Sequence, residues 1–156
     1  MTSASPGPLT PAANAESTWS AVMFANVTLL TGPCGTPSAS TCTVWKLAPG
    51  VIVIDTGQNP IEARDIMATV KKLTDKPVKI VIDTEPHGDH TTGHFVFPDA
   101  IVISAAGGGE SMRGAERANP NRIQTMANTS PAMKAALEGY KFVAPHIEYQ
   151  GKMTLN

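Results

Sequence analysis

Two apolar segments on either side of an amphipathic one constrain the fold of this chain most strongly. Residues 51–55 (VIVID) and 78–83 (VKIVID) are nearly continuous apolar runs that end in aspartate, which is typical of strands buried on both faces. Between them, Asn59 is predicted to cap a helix, Pro60 suits its first position, and Glu62 follows three residues after the cap. Strand, helix and strand within about 35 residues predict a βαβ unit with parallel strands and a right-handed crossover.

The rest of the chain adds strands and short helices to this unit. The central helix is expected to bury a stripe formed by Ile66, Val70 and Leu73. Apolar, β-branched stretches predict further strands at residues 19–31, 41–47, 100–104, 142–149 and 152–155. Turn and cap residues predict helices at residues 110–117, 120–126 and 131–139. The expected fold class is α/β, with one domain over residues 18–156 behind a flexible tail, residues 1–17.

Composition and charge exclude several functions. The chain has 156 residues, 12 of them Lys or Arg and 13 Asp or Glu, so its net charge is −1, and aromatic residues make up only 5%. Binding to nucleic acid or to anionic membranes is not expected, because both need a basic surface. No apolar run reaches the roughly 20 residues that span a bilayer. Residues 1–17 lack a basic start followed by an apolar core. We therefore expect a cytoplasmic protein that acts on a small molecule.

The two cysteines leave two interpretations open. Cys34 and Cys42 flank the turn-rich segment GTPSAST, where a disulfide would clamp a hairpin. Without a visible export signal, a reduced pair of thiols is the default expectation.

One segment carries the residues that point to chemistry. Residues 84–94 (TEPHGDHTTGH) follow a predicted buried strand and contain three of the four histidines. Ligand sites of open α/β sheets lie at the carboxyl ends of the strands, which is where this segment and Asp55 are placed. Imidazole and carboxylate together suit a divalent transition metal such as zinc. The candidate ligands are the histidines and acids at the centre of this segment: Glu85, His87, Asp89 and His90.

The run VIVIDTG, the helix after it, and VKIVIDTEPHGDHTTGH resemble the N-terminal half of the metallo-β-lactamase superfamily. The resemblance implies the N-terminal half of an αββα sandwich that binds one or two ions of zinc, iron or manganese. By this resemblance, His87 would bind the first metal, and Asp89 and His90 the second. Asp55 would orient the segment from behind the ligands, and His94 is placed with it in that outer group.

Two features depart from the family pattern. Glu85 stands where the family's motif has its first histidine, so it is expected either to bind the metal through oxygen or to tune the site as a non-ligand. Members of the family are also longer, and their later ligands come from a C-terminal half. We therefore expect this chain to act with a missing C-terminal half or as a homo-oligomer.

The functional expectation is a metal-dependent hydrolase of esters, amides, thioesters or lactams. A metal-activated water would attack the substrate, and Asp89, the predicted catalytic residue, would hold both the metal and the nucleophile. The alternative is a catalytically incomplete domain that serves as a binding or dimerisation module. Two other features favour structural roles: Gly107–Gly109 is expected to form a turn, and His146 to be a local packing residue.

Overall fold

A mixed β-sheet with helices packed on it forms the fold. The computed structural model describes residues 20–24, 27–33, 41–46 and 50–155. Within them the strands are β1 (Ser20–Phe24), β2 (Val27–Pro33), β3 (Thr41–Lys46), β4 (Val51–Ile54), β5 (Val78–Ile82), β6 (Ile101–Ala105) and β7 (Ile147–Tyr149). The helices are α1 (Pro60–Leu73), α2 (Gly88–Thr91), α3 (Gly108–Ala118), α4 (Arg122–Ala127) and α5 (Pro131–Ala136), with a 3₁₀ turn at His94–Val96. None of the helices in these ranges is long and apolar enough to cross a membrane.

The strands follow one another across the sheet in chain order, β1 to β7. The pairs from β1 to β4 are antiparallel, whereas β4, β5, β6 and β7 are parallel to one another. The α/β class and the parallel βαβ unit are therefore confirmed. The tail at residues 1–17 and Cys34 lie outside the described residues, so the tail and the cysteine pairing stay predictions.

Helix α1 forms for the reasons that its sequence indicates. The Asn59 side chain accepts hydrogen bonds from the N–H groups of Ile61 and Glu62 at 2.9 and 3.2 Å, a cap that contributes about 1 kcal/mol to stability. The helix buries Ile66 and Val70 against the sheet, as predicted. The prediction for Leu73 is wrong, because this residue is 43% exposed in the last helical turn.

The two sides of the sheet differ. Val102 belongs to the core cluster formed with α1, and Ser104, two residues on, faces Gly108 of α3. Because alternate residues of a strand share a face, α1 and α3 lie on the same side. The opposite side carries apolar residues of the three parallel strands β5 to β7, which we call the isoleucine surface: Ile80, Ile82, Ile101, Ile103 and Ile147.

The C-terminal prediction needs a correction. Residues 152–155 form no strand, and only Ile147–Tyr149 of the predicted strand at 142–149 is extended into the sheet. Gly151 has a φ of +67°, which turns the chain back. Met153 and Leu155 then line a cavity with Ile82 and Ile103, so their apolar character serves packing against the isoleucine surface.

Candidate functional site

The segment of residues 84–94, here called the histidine loop, starts directly after β5 at the carboxyl edge of the parallel strands. The sequence predicts a loop, and the structure adds the single helical turn α2 inside it. This turn is too short to produce a periodic apolar pattern, so no sequence signal reveals it. It places Asp89 and His90 on consecutive helical residues, with Glu85 and His87 just before them.

His90 is the centre of the loop's polar contacts. Its Nε2 lies 2.8 Å from Glu85 Oε1 and 3.6 Å from Asp89 Oδ2. Its Nδ1 lies 2.9 Å from Asp55 Oδ2. His87 Nδ1 is 2.5 Å from the other carboxylate oxygen of Glu85. The five predicted residues Asp55, Glu85, His87, Asp89 and His90 are therefore brought together at one edge of the sheet.

The acidic neighbours of His90 change its protonation. Burial lowers the pKa of His90, but the hydrogen bond and charge of Asp55, together with the charges of Asp89 and Glu85, raise it by more. The net result is a pKa above the ordinary value of 6.5. A metal ligand must be a neutral imidazole, so any metal that binds His90 has to displace its proton.

Asp55 ties the ends of two neighbouring strands together. It has a φ of +57°, which is uncommon for a residue with a side chain. In this conformation its carboxylate accepts hydrogen bonds from Thr84 N at 2.8 Å and from Thr84 Oγ1 at 2.6 Å. The same carboxylate contacts His90 Nδ1. Asp55 therefore fixes both the first residue of the histidine loop and one ring nitrogen of His90.

The imidazole and carboxylate groups of the histidine loop suit a transition metal, although they contact one another. Two ligands of a tetrahedral zinc, each about 2.0 Å from the ion, lie roughly 3.3 Å apart. The contact between His90 Nε2 and Glu85 Oε1 is shorter, at 2.8 Å. Among the described residues, no three such groups are already arranged around a common point for a metal. The side chains of His87, Glu85 and Asp89 are 71%, 44% and 61% exposed.

His94 lies apart from this group. Its side chain is buried, with Nε2 2.7 Å from Asp83 Oδ1 and Nδ1 3.1 Å from the carbonyl oxygen of Val143. Burial raises the pKa of Asp83, against the lowering effect of the His94 hydrogen bond, and the charge of Asp55 adds to the rise. Asp83 Oδ2 is buried and has no hydrogen-bond partner among the described residues. The protonated form of Asp83 suits this arrangement better than the ionised form, because an unpaired carbonyl oxygen costs less to bury than an unpaired carboxylate oxygen.

Thr56 is a residue of the site that sequence reasoning missed. It is fully buried, and its hydroxyl donates to the carbonyl oxygen of His90 at 2.6 Å and accepts from Gly93 N at 3.1 Å. Its own N–H donates to the same His90 carbonyl at 2.8 Å. The sequence position of Thr56 could have indicated this role, because Thr56 directly follows Asp55 at the strand end. Thr56 holds the back of the histidine loop against the sheet.

Comparison with known proteins identifies the class of protein that this fold and site define. The model of the metallo-beta-lactamase superfamily matches residues 35–129, more than half of the chain. The chain therefore belongs to the metallo-beta-lactamase superfamily, whose members bind metal ions, commonly zinc.

Individual relatives agree with this family. A linear primary-alkylsulfatase of Pseudomonas sp. (strain ATCC 19151) is 27% identical over 93 residues, which are 60% of this chain and 17% of the alkylsulfatase. A metallo-beta-lactamase from Pontibacter korlensis superposes with a TM-score of 0.54 at 14% identity, over 89% of this chain and 56% of its own, and shares the fold. A B3 metallo-beta-lactamase described as the first with an active site glutamic acid is 30% identical over 58% of this chain and 34% of its own, with a TM-score of 0.46. The chain thus spans between about a sixth and just over half of these relatives.

Proposed function

We propose that the chain provides the metal-binding part of a metal-dependent hydrolase. The observation that carries this proposal is the histidine loop at the carboxyl edge of the sheet, in which Glu85 lies 2.5 Å from His87 and 2.8 Å from His90, and Asp89 lies 3.6 Å from His90. Open α/β folds place their ligands at this edge. The alkylsulfatase and the lactamases named above are hydrolases of different substrates, which supports the reaction type without fixing the substrate.

His90, Asp89, His87 and Glu85 would hold the metal. A bound metal ion of this kind polarises a substrate oxygen and lowers the pKa of water toward neutrality. The ion would take His90 through Nε2, because Asp55 occupies Nδ1 and fixes the ring's orientation. Glu85, which contacts Nε2 in the metal-free loop, would then either bind the ion beside His90 or rotate away.

Asp89 is the candidate for handling the nucleophile. Its side chain is 61% exposed on the first turn of α2, with Oδ2 3.6 Å from His90 Nε2. A carboxylate in this position can accept a hydrogen bond from a water molecule and orient it. The proposed substrate is a small molecule with an ester, thioester, amide or lactam bond, and sulfate esters are added because of the alkylsulfatase relative.

Metal binding by the purified chain tests this proposal. We expect at least one equivalent of zinc, iron or manganese per chain, and an affinity at least about tenfold lower after His90→Ala, because a ligand is lost. The matched control is His146→Ala, which removes a histidine whose Nδ1 accepts from the backbone N–H of Val102. Glu85→Gln tests whether Glu85 is a ligand. The metal affinity falls if Glu85 binds the metal and stays unchanged if it does not. Less than stoichiometric amounts of all three metals in the wild type would contradict the proposal.

Association through the isoleucine surface is a second candidate function. Ile101 and Ile147 on this side of the sheet are 46% and 39% exposed, and Leu155 beside them is 46% exposed. Exposed apolar residues grouped in this way favour contact with another apolar surface. We expect the chain to elute as a dimer on size exclusion and Ile101→Lys with Ile147→Lys to shift it to a monomer. A wild-type monomer that binds no hydrophobic dye contradicts this second candidate.

A further inference from the structure

The hydroxyl of Thr92 joins the histidine loop to a distant part of the chain. Thr92 is buried, and its Oγ1 donates to the carbonyl oxygen of Gly88 at 2.5 Å. The N–H of Thr92 donates to the same carbonyl at 3.0 Å. The same Oγ1 accepts a hydrogen bond from Arg122 Nη1 at 3.0 Å. Because Gly88 is the first residue of α2, the contact fixes the start of the turn that carries Asp89 and His90.

Arg122 is itself held from two other elements. Its Nη2 lies 3.5 Å from Glu116 Oε2 on α3 and 3.5 Å from the Tyr140 hydroxyl, which follows α5. The Arg122 side chain is 29% exposed. A guanidinium presents several donors in one rigid plane, so a single side chain can bridge three partners. Arg122 therefore connects α2, α3 and the segment after α5.

The contact between Arg122 and the loop is close. A methyl group at Gly88 would lie 3.3 Å from Thr92 Oγ1, which is a tight approach, and 3.4 Å from Arg122 Nη1, which is ordinary van der Waals contact. A small cavity of about 90 Å³ between the loop and α3 is lined by Gly88, Thr92, Glu116, Arg122 and Tyr140, among others. The residues that line this cavity therefore include those that make the hydrogen bonds between Thr92, Arg122 and their partners.

We propose that Arg122 is a positioning residue for the histidine loop, acting through the Thr92 hydroxyl. This inference rests on the proposed metal-binding function and adds a residue that lies 30 positions away from its partner in the sequence. The loop is held on one side by the Thr56 hydroxyl, at the His90 carbonyl, and on the other by the Thr92 hydroxyl, at the Gly88 carbonyl. Both contacts fix the backbone on either side of Asp89. Fixing the backbone in advance lowers the cost of bringing ligands together around a metal.

Cobalt(II) titration of the metal-free chain, followed by absorption, tests the inference. Thr92→Val keeps the shape and removes the hydroxyl, whereas Thr92→Ser keeps the hydroxyl. We expect Thr92→Val and Arg122→Ala each to weaken Co²⁺ binding about tenfold, as is typical when support behind a ligand is lost. Thr92→Ser should bind like the wild type. Because the two residues act through one contact, the double variant Thr92→Val with Arg122→Ala should bind no more weakly than either single variant.

The control separates positioning from loss of stability. Ser130→Ala removes the hydroxyl that caps α5 by accepting from Met133 N at 3.0 Å. It is expected to lower the free energy of unfolding without changing the Co²⁺ affinity, because α5 does not contact the histidine loop through Ser130. A similar loss of affinity in Ser130→Ala would overturn the inference.

A second measurement needs no metal. The Thr92 amide donates to Gly88 O, so its hydrogen exchange reports directly on the contact between Thr92 and the start of α2. We expect this exchange to accelerate about tenfold in Thr92→Val and in Arg122→Ala, relative to the exchange of Val81 in the core. If the wild type binds no Co²⁺, the proposed function fails while the exchange result still decides the role of Arg122. If the Thr92 amide exchanges at the wild-type rate in both variants, the inference is overturned.

Discussion

Replacement of Gly93 by alanine is expected to lower the free energy of unfolding by about 3 kcal/mol, at the upper end for an overpacked core. The backbone of Gly93 has a φ of −83°, which any residue adopts, so no backbone strain enters. The effect comes from space alone. A Cβ at this position would overlap the Cβ of Ala63 and would lie 2.8 Å from both Cβ and Oγ1 of Thr56. Ala63 and Thr56 are both fully buried and cannot move aside.

Urea unfolding of Gly93→Ala measures this effect, and Gly114→Ala is its matched control. Gly114 lies inside α3, and a methyl group there meets only the far end of the Arg117 side chain, at 4.0 Å. Alanine is preferred over glycine in a helix by about 1 kcal/mol, so this variant should gain stability. The two glycine-to-alanine changes are therefore expected to act in opposite directions. A stability of Gly93→Ala equal to that of the wild type would show that the contact with α1 is looser than described.

Removal of the His94 side chain is expected to cost about 3 kcal/mol as well, in the range for deleting a large buried side chain and leaving its polar partner unsatisfied. His94→Ala deletes a large buried side chain and leaves the carboxyl group of Asp83 buried without its hydrogen bond. The backbone contact to Val143 is lost at the same time. Thermal and urea unfolding check the result. His146→Ala, which removes an exposed histidine with one backbone hydrogen bond, should cost no more than about 1 kcal/mol.

The same pair predicts a pH dependence. Because the pKa of Asp83 is raised in the folded chain above the ordinary value of 3.8, the folded state holds this proton more tightly than the unfolded state. The resulting stability is complete below pH 3.8 and is lost as the pH rises through the folded pKa. Asp83→Asn cannot ionise, so its stability relative to the wild type should rise across this range of pH. A difference between the two proteins that stays constant with pH would contradict the raised pKa.

The sequence predicts the part of the fold that local contacts determine. The cap at Asn59 and the apolar runs on either side of α1 act over a few residues, and their elements are found where they were expected. The prediction for residues 152–155 failed because apolar residues that pack on a sheet and apolar residues that join it look alike in the sequence. Gly107–Gly109 was expected to be a turn, but only Gly107, with a φ of +86°, lies outside α3.

The residues of the site likewise divide into those that the sequence predicts and those that it does not. Asp55, Glu85, His87, Asp89 and His90 could be named because they cluster at predicted strand ends and match the motif of a family. Arg122 could not, because nothing in its own neighbourhood indicates a partner 30 residues earlier. The burial of His94 was missed for a related reason. Its partner Asp83 directly follows β5, yet the carbonyl that holds its other nitrogen belongs to Val143, 49 residues further along the chain.

These separations have a consequence for the order in which the molecule assembles. The contacts that fix the histidine loop join residues 30, 34 and 49 positions apart, whereas the cap of α1 spans two or three. Closing long segments costs more chain entropy than forming local turns, so such contacts are made late. During synthesis, the ribosome must release Val143 before His94 can bind its second partner. We therefore expect the histidine loop to leave the ribosome, and to be able to meet metal ions, before its contacts with Arg122 and Val143 exist.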